Sequence, residues 1–164
     1  MSVVRVLRTA AVALTHTFYV DETPTDASTG VTVAVTRLDG TGVSSGAATH
    51  PGTGQYAYTV PGQANVDMLV VEWTATSIGG AVVTATDYVE VVGGYLFGLA
   101  EARASDPTLT NPVTYPTSML AEKRFEVEEE CEEICRQAFV PRFARETLSG
   151  TGTDRLGLKH MMLR

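Results

Sequence analysis

Cysteine is scarce in this 164-residue chain, tryptophan occurs once and histidine three times. The two cysteines, Cys131 and Cys135, fall short of the four ligands that a structural zinc site takes. Four apart on what reads as a helix, they point along one face, a strained geometry for a bridge, so buried reduced thiols are expected. Long apolar runs are missing too, and none approaches the about 20 residues that cross a bilayer. Val3–Leu14 is mildly apolar, but Arg5 and Arg8 interrupt it, whereas a secretory leader carries its positive charge ahead of the apolar block. A protein made in the cytosol without a membrane span is expected. Positive charge is in deficit: the net charge is −7, which disfavours a nucleic-acid coat because phosphate binding needs a positive field. Hydrophobic content of 44% and charged content of 19% are ordinary for a globular chain, and the length suits one ordinary domain or two small ones.

Catalytic chemistry is equally thin. His16, His50 and His160 lie in different segments, and none has a cysteine or acid at ligand spacing. His16 falls on an alternating strand face and is expected to be packed, not catalytic. His50 precedes Pro51 in a turn and should face solvent, and His160 sits in a basic tail. Gly52-Thr53-Gly54 and Gly150-Thr151-Gly152 lack the lysine or helix start that a phosphate cradle needs. Successive glutamates on a helix point to different sides, so the run at Glu126–Glu133 does not converge on one cation. No catalytic residue, cofactor or metal is therefore expected, and the chain does not read as an enzyme.

What the chain does have is alternation. Residues 14–92 read as short strands between turns, rich in valine and threonine. Leu14, His16 and Phe18 alternate with Thr15, Thr17 and Tyr19. After a polar loop from Asp21 to Gly30, Val31, Val33 and Val35 share one face at a period of two. Asp39-Gly40 is a tight-turn signal, and His50–Gly54 is another turn. Tyr56, Tyr58 and Val60 alternate next, then Leu69, Val71 and Trp73. Gly79-Gly80 turns the chain into a last strand, about Val82–Val92, and Gly93-Gly94 closes the domain. Short strands at steady spacing suggest a β-sandwich with Trp73 anchoring the core.

Beyond Gly94 helix formers take over. Leu96–Ala104 has helical spacing and stops at Ser105-Asp106-Pro107. Thr108–Pro116 should be an ordered loop or extended crossing. Thr117 or Ser118 can cap a helix running to about Ala138, with first turns rich in glutamate. Leu120, Val127, Cys131, Ile134, Cys135 and Ala138 form its expected apolar stripe with Phe125 beside it, the offsets from Leu120 fitting a 3.6-residue period. Pro141 ends the element, Ser149–Thr153 is a turn, and Arg155–Leu158 reads as the start of a strand for which the remaining chain offers no partner. Either the gene product continues past Arg164, or the tail finds its partner strand on another protein.

Charge is unevenly spread. Residues 1–93 hold 3 basic and 8 acidic groups, residues 94–133 hold 3 and 9, and residues 134–164 hold 6 and 2. An acidic segment followed by a basic one suits head-to-tail contacts between copies of one chain.

Four stretches of the C-terminal part resemble the head–tail connector (adaptor) family of long-tailed phages. Leu96-Phe97-Gly98-Leu99-Ala100-Glu101-Ala102-Arg103 is similar to the family's opening helix, and Tyr115-Pro116-Thr117 leads into its long helix. Phe125–Cys131 continues into Ile134-Cys135-Arg136-Gln137-Ala138-Phe139-Val140-Pro141-Arg142. Glu146–Leu158 resembles the glycine turn and Leu-x-Leu strand, although the strands and helices that usually follow are absent. The residues before Gly94 resemble bacterial and phage immunoglobulin-like modules by strand spacing and by Tyr56, Tyr58 and Trp73.

The resemblance implies an α+β multidomain chain: an N-terminal strand or arm (1–13), an immunoglobulin-like β-sandwich (14–93) and a small, mostly helical connector domain with an extended tail (94–164). It implies a non-enzymatic virion protein at the head–tail interface, made in the host cytoplasm. That protein would form a homo-oligomeric ring, dodecameric in the family, beneath the portal protein, dock a tail-side stopper or head-completion protein and pass DNA without sequence-specific binding. The immunoglobulin-like part would decorate the ring and reach the capsid. Expected subunit or portal contacts are Glu128, Glu129 and Glu132 on the helix, then Arg136, Phe139, Arg142, Arg145, Arg155, Leu156, Leu158 and Lys159. The alternative is an immunoglobulin-like adhesion or decoration protein binding a glycan or protein, which would expose aromatics on one sheet face.

Overall fold

The computed structural model describes residues 3–145. The chain divides between Gly93 and Gly94 into two compact units. Among the described residues strand accounts for 43% and helix for 21%, so the described fold is mainly β.

Among the described residues the first unit holds ten strands: β1 Val3–Leu7, β2 Val12–Thr17, β3 Tyr19–Val20, β4 Thr23–Pro24, β5 Val31–Arg37, β6 Gly42–Ala47, β7 Thr49–Gly52, β8 Gln55–Val60, β9 Asp67–Ile78 and β10 Ala81–Val92. One sheet has the order β1-β10-β9-β5-β6 and the other β2-β8-β7, while β3 and β4 form a small separate ladder. This division, with consecutive strands crossing between the two sheets, is that of immunoglobulin-like sandwiches. Val31, Val33 and Val35 of β5 and Leu69, Val71, Trp73 and Ala75 of β9 are all buried. They meet Leu14, Tyr56 and Val60 of the smaller sheet in one core.

Val3–Leu7 is a strand and not an arm: it pairs in parallel with Tyr88–Val92 as an edge of the larger sheet. Strand β6 has no signature in the sequence, because Gly42, Ser44, Ser45 and Gly46 do not alternate in polarity; pairing with β5 makes it a strand. His50 lies on β7, so the turn there is confined to Thr53-Gly54. Gly54 has φ +68, and a Cβ on it would lie 2.7 Å from the Thr25 nitrogen. Only glycine fits both conditions.

The second unit contains α1 (Leu99–Ser105), a short 3₁₀ turn (Pro107–Thr110) and α2 (Thr117–Cys135). Helix α1 begins at Leu99, not Leu96, and the Glu101 carboxylate accepts a bond from the Gly98 amide at 2.8 Å. The 3₁₀ turn occupies part of the expected loop, capped by Asp106, which accepts from the Thr108 amide. Helix α2 differs from expectation at both ends. Pro116 is its N-cap, the first turn holds no acid, and Arg136 closes it in the left-handed conformation. The Leu120 amide bonds back to the Pro116 carbonyl, so Thr117 is already helical, and its hydroxyl accepts from Arg103 instead of capping. No helix among the described residues is long and apolar enough to cross a membrane.

Candidate functional site

Helix α2 carries three of the expected contact residues, Glu128, Glu129 and Glu132, and its orientation within its own unit decides which are available. The half-buried or buried positions are Leu120, Ala121, Arg124, Phe125, Glu128, Cys131 and Glu132, one face at a 3.6-residue period. Three are charged, and each has a partner. The Arg124 guanidinium lies 3.3 Å from the centre of the Tyr95 ring, a cation–π contact. Glu128 is buried and accepts from the Leu96 amide at 2.6 Å. Glu132 is hydrogen-bonded to Arg142, which also lies 3.8 Å from Glu129. Arg103 reaches from α1 to the carbonyls of Leu109 and Tyr115 and so pins the 3₁₀ turn to the start of α2.

The expected apolar stripe is therefore only partly inward. Leu120 and Cys131 face in, but Val127 is 42% exposed, Ile134 is 74% exposed, and Cys135 and Ala138 are exposed. Both cysteines are free thiols, Cys131 half-buried and Cys135 exposed, so burial holds only in part for one. Glu128 is taken out of any exposed contact surface, because its carboxylate is sealed within its unit. Glu132 and Arg142 serve an internal ion pair. An Arg142→Glu substitution would therefore disturb this unit's own packing before it reported on a partner. Glu129, Arg136, Phe139 (45% exposed) and Arg145 remain on the exterior. Arg155, Leu156, Leu158 and Lys159 lie outside the described residues, as does His160.

Two polar clusters in the first unit escaped sequence analysis because their partners are far apart in the chain. Asp87 Oδ2 accepts from the Trp73 indole at 3.0 Å and lies 3.3 Å from His16 Nδ1. The His16 ring also stacks on Trp73 and meets Phe18 edge-on. This network ties β2 in one sheet to β9 and β10 in the other, and His16 is packed as its strand face implied. In the second cluster, Asp26 accepts from the Gly54 amide at 2.5 Å and faces His50 Nε2 at 2.9 Å. His50 stacks on Tyr56, whose hydroxyl accepts from the Ala27 amide. His50 thus pins the loop before β5 to the β7–β8 hairpin. Among the described residues no group of acids, histidines and cysteines is arranged to hold a metal.

The Gly54 amide, and after it His50, holds the Asp26 carboxyl below the usual carboxylate range. A carboxyl depressed in the folded state stabilises above its unfolded value, about pH 3.9, and that stability is lost as pH falls through the folded value. Asp26→Ala should therefore melt below the wild type at neutral pH, and the gap should close as the pH drops below about 4. A gap independent of pH in thermal melts would show that Asp26 acts through packing alone.

No family model and no curated protein matches the chain. A crystal structure of the ZIG-8–RIG-5 IG1–IG1 heterodimer aligns with 55% of this chain and 81% of its own, at 16% identity and a TM-score of 0.35. So loose a likeness says nothing of this chain's partners.

Proposed function

We propose that this chain is a structural, non-enzymatic virion subunit, a head–tail connector with an immunoglobulin-like domain at its front. In this reading it forms a ring beneath the portal protein and receives a tail-side stopper. The observation that carries the proposal is the outward face of α2. Val127, Ile134 and, just beyond the helix, Phe139 expose apolar surface beside Glu126, Glu130 and Glu133. Apolar side chains at this density on an acidic helix suit a contact with another protein better than solvent. Of the connector-like motifs, Tyr115–Thr117, Phe125–Cys131 and the start of Ile134–Arg142 fall on or beside this helix, and Glu146–Leu158 lies outside the described residues. Repeated around a ring, such a face gives a heterologous contact that can close. Net negative charge would let DNA slide past without sticking. The adhesion alternative expects aromatics displayed on a sheet face, yet Phe18, Tyr56 and Trp73 are buried in the core, and the exposed aromatic among the described residues of this unit, Tyr19, lies on the short β3.

The test is the mass of the purified chain, alone and mixed with the portal ring, with negative-stain imaging of any complex. A ring with one chain per portal subunit is the expected result, and a chain that stays monomeric and ignores the portal would overturn it. Ile134→Glu should weaken that assembly by about tenfold or more, as loss of an apolar anchor does, with the melting temperature unchanged because the side chain is already exposed.

A further inference from the structure

A strand at the rim of a sheet offers unpaired amides and carbonyls to another chain, and folded proteins guard such edges with proline, inward charge, bulges or short length. Most edges of the first unit are guarded in this way. Strand β7 is 4 residues long, contains Pro51 and breaks register against β8. Strand β6 holds Gly42 and Gly46 and breaks register against β5. Strand β1 turns the charge of Arg5 inward onto Glu90. The stretch of β10 that β1 leaves uncovered begins with a register break at Ala81/Val83 and ends at the inward Asp87. Strand β2 has none of these devices. Its 6 residues, Val12–Thr17, include no glycine, proline, acid, lysine or arginine, and they run against β8 without a register break. No described strand pairs with β2 on its other side.

The Phe18 amide bonds to the Gly54 carbonyl at the end of the β2–β8 ladder. Antiparallel alternation then commits the backbone groups of Leu14 and His16 to β8 and turns those of Ala13, Thr15 and Thr17 outward. We propose that a second copy of this chain docks on this edge, β2 against β2, antiparallel about Thr15. In that register Thr15 faces the partner's Thr15 and Ala13 faces the partner's Thr17, each facing pair exchanging two backbone bonds. Three features suit the edge to a copy of itself. Its outward residues, Ala13, Thr15 and Thr17, are small and uncharged, so the antiparallel copy meets no like charge and gains a threonine–threonine pair. Opposite them in the ladder, on the same outer face, lie Thr59, Ala57 and Gln55 of β8. These too are uncharged, so two acidic units approach here without setting carboxylates against each other. Both copies present the edge already as a strand, so docking carries no cost of folding. The contact is isologous and closes at two copies, unlike the heterologous contact proposed for α2. It lies wholly within the first unit and holds or fails without the connector reading.

The experiment uses the full chain carrying Ile134→Glu, which takes the α2 contact out of the measurement. Sedimentation equilibrium follows mass against concentration for this background and for the background with Thr15→Val, Thr15→Lys or Thr15→Pro added. The background and Thr15→Val should form dimers and no larger species. Thr15→Lys sets like charges opposite each other, and Thr15→Pro removes the outward amide but no β2–β8 bond. Both should dimerise at least about tenfold more weakly. Thr15 is exposed, so all four proteins should share one melting transition; if Thr15→Pro unfolds, Thr15→Lys decides. Hydrogen exchange locates the contact. The amides of Ala13, Thr15 and Thr17 should slow as concentration rises, while those of Leu14 and His16, already bonded to β8, stay unchanged. A background chain that remains monomeric overturns the proposal, as does a Thr15→Lys variant that dimerises as well as the background. Portal binding is scored separately, without Ile134→Glu. A Thr15→Lys chain that assembles on the portal while a dimer contact at β2 is missing in the background keeps the connector reading and loses the strand pairing. A chain that ignores the portal but dimerises through Thr15 keeps the strand pairing and loses the connector.

Discussion

Replacing Trp73 with alanine is expected to destabilise the sandwich by about 3–5 kcal/mol, the range for removing a large buried aromatic. The side chain is wholly buried at the centre of β9. It packs between the two sheets and holds the His16 ring against its face. Its indole N–H also donates to Asp87 at 3.0 Å. Truncation would thus open a cavity and strip a half-buried carboxylate of a partner, and the two costs act in the same direction. Trp73→Phe separates them. It keeps most of the ring volume but loses the N–H, and should cost about 1–2 kcal/mol. The measurement is a urea titration followed by circular dichroism, since Trp73 is the chain's one tryptophan and cannot serve as its own reporter in these variants. A loss below about 1 kcal/mol for the alanine variant, with an unchanged slope, would mean that the two sheets do not close on this residue.

The β5, β8 and β9 strands were legible because each has one buried face and one wet face, so period-two alternation survives in the residue order. Val31-Thr32-Val33-Ala34-Val35 is the clearest case. Strand β6 was not legible, because its glycines and serines carry no facial preference and only the register with β5 makes them a strand. The parallel partner of β1 lies some eighty residues away, a distance over which local pattern carries no information. The turns at Asp39-Gly40 and Gly79-Gly80 were legible because positive φ there demands glycine.

Helix α2 shows where polarity misleads. Ranking its positions by apolarity put Val127 and Ile134 inside, yet Arg124, Glu128 and Glu132 take the inner face. Each of the three finds a partner that local sequence does not reveal: a ring, a backbone amide and an arginine. A buried charge is tolerated when it is paired and hydrogen-bonded. The existence of the helix was therefore readable, its rotation was not, and the exposed apolar face on which the proposed function rests emerged only once the rotation was known. The His16–Asp87 and His50–Asp26 contacts were invisible for a similar reason, since the partners are 71 and 24 residues apart.

The second large effect is expected at the other edge of the sandwich. Arg5 Nε donates to Glu90 Oε2 at 2.9 Å, with the two side chains 3% and 2% exposed. The residues are also paired in the parallel ladder between β1 and β10, so the contact fastens the N-terminal strand to the sheet. Bringing two charges out of water is expensive, and their mutual attraction roughly offsets that expense only while both are present. Glu90→Ala should therefore cost about 3–5 kcal/mol by leaving the guanidinium buried without this carboxylate. Arg5→Met/Glu90→Leu should recover most of that loss, because well-packed apolar side chains of similar volume often match a buried pair. Guanidinium chloride titrations of the two singles and the double close the cycle. A Glu90→Ala loss below about 1 kcal/mol, the level of an exposed pair, would show that water reaches the site. If the large loss is found, releasing β1 as an arm towards a neighbour would break the same buried pair.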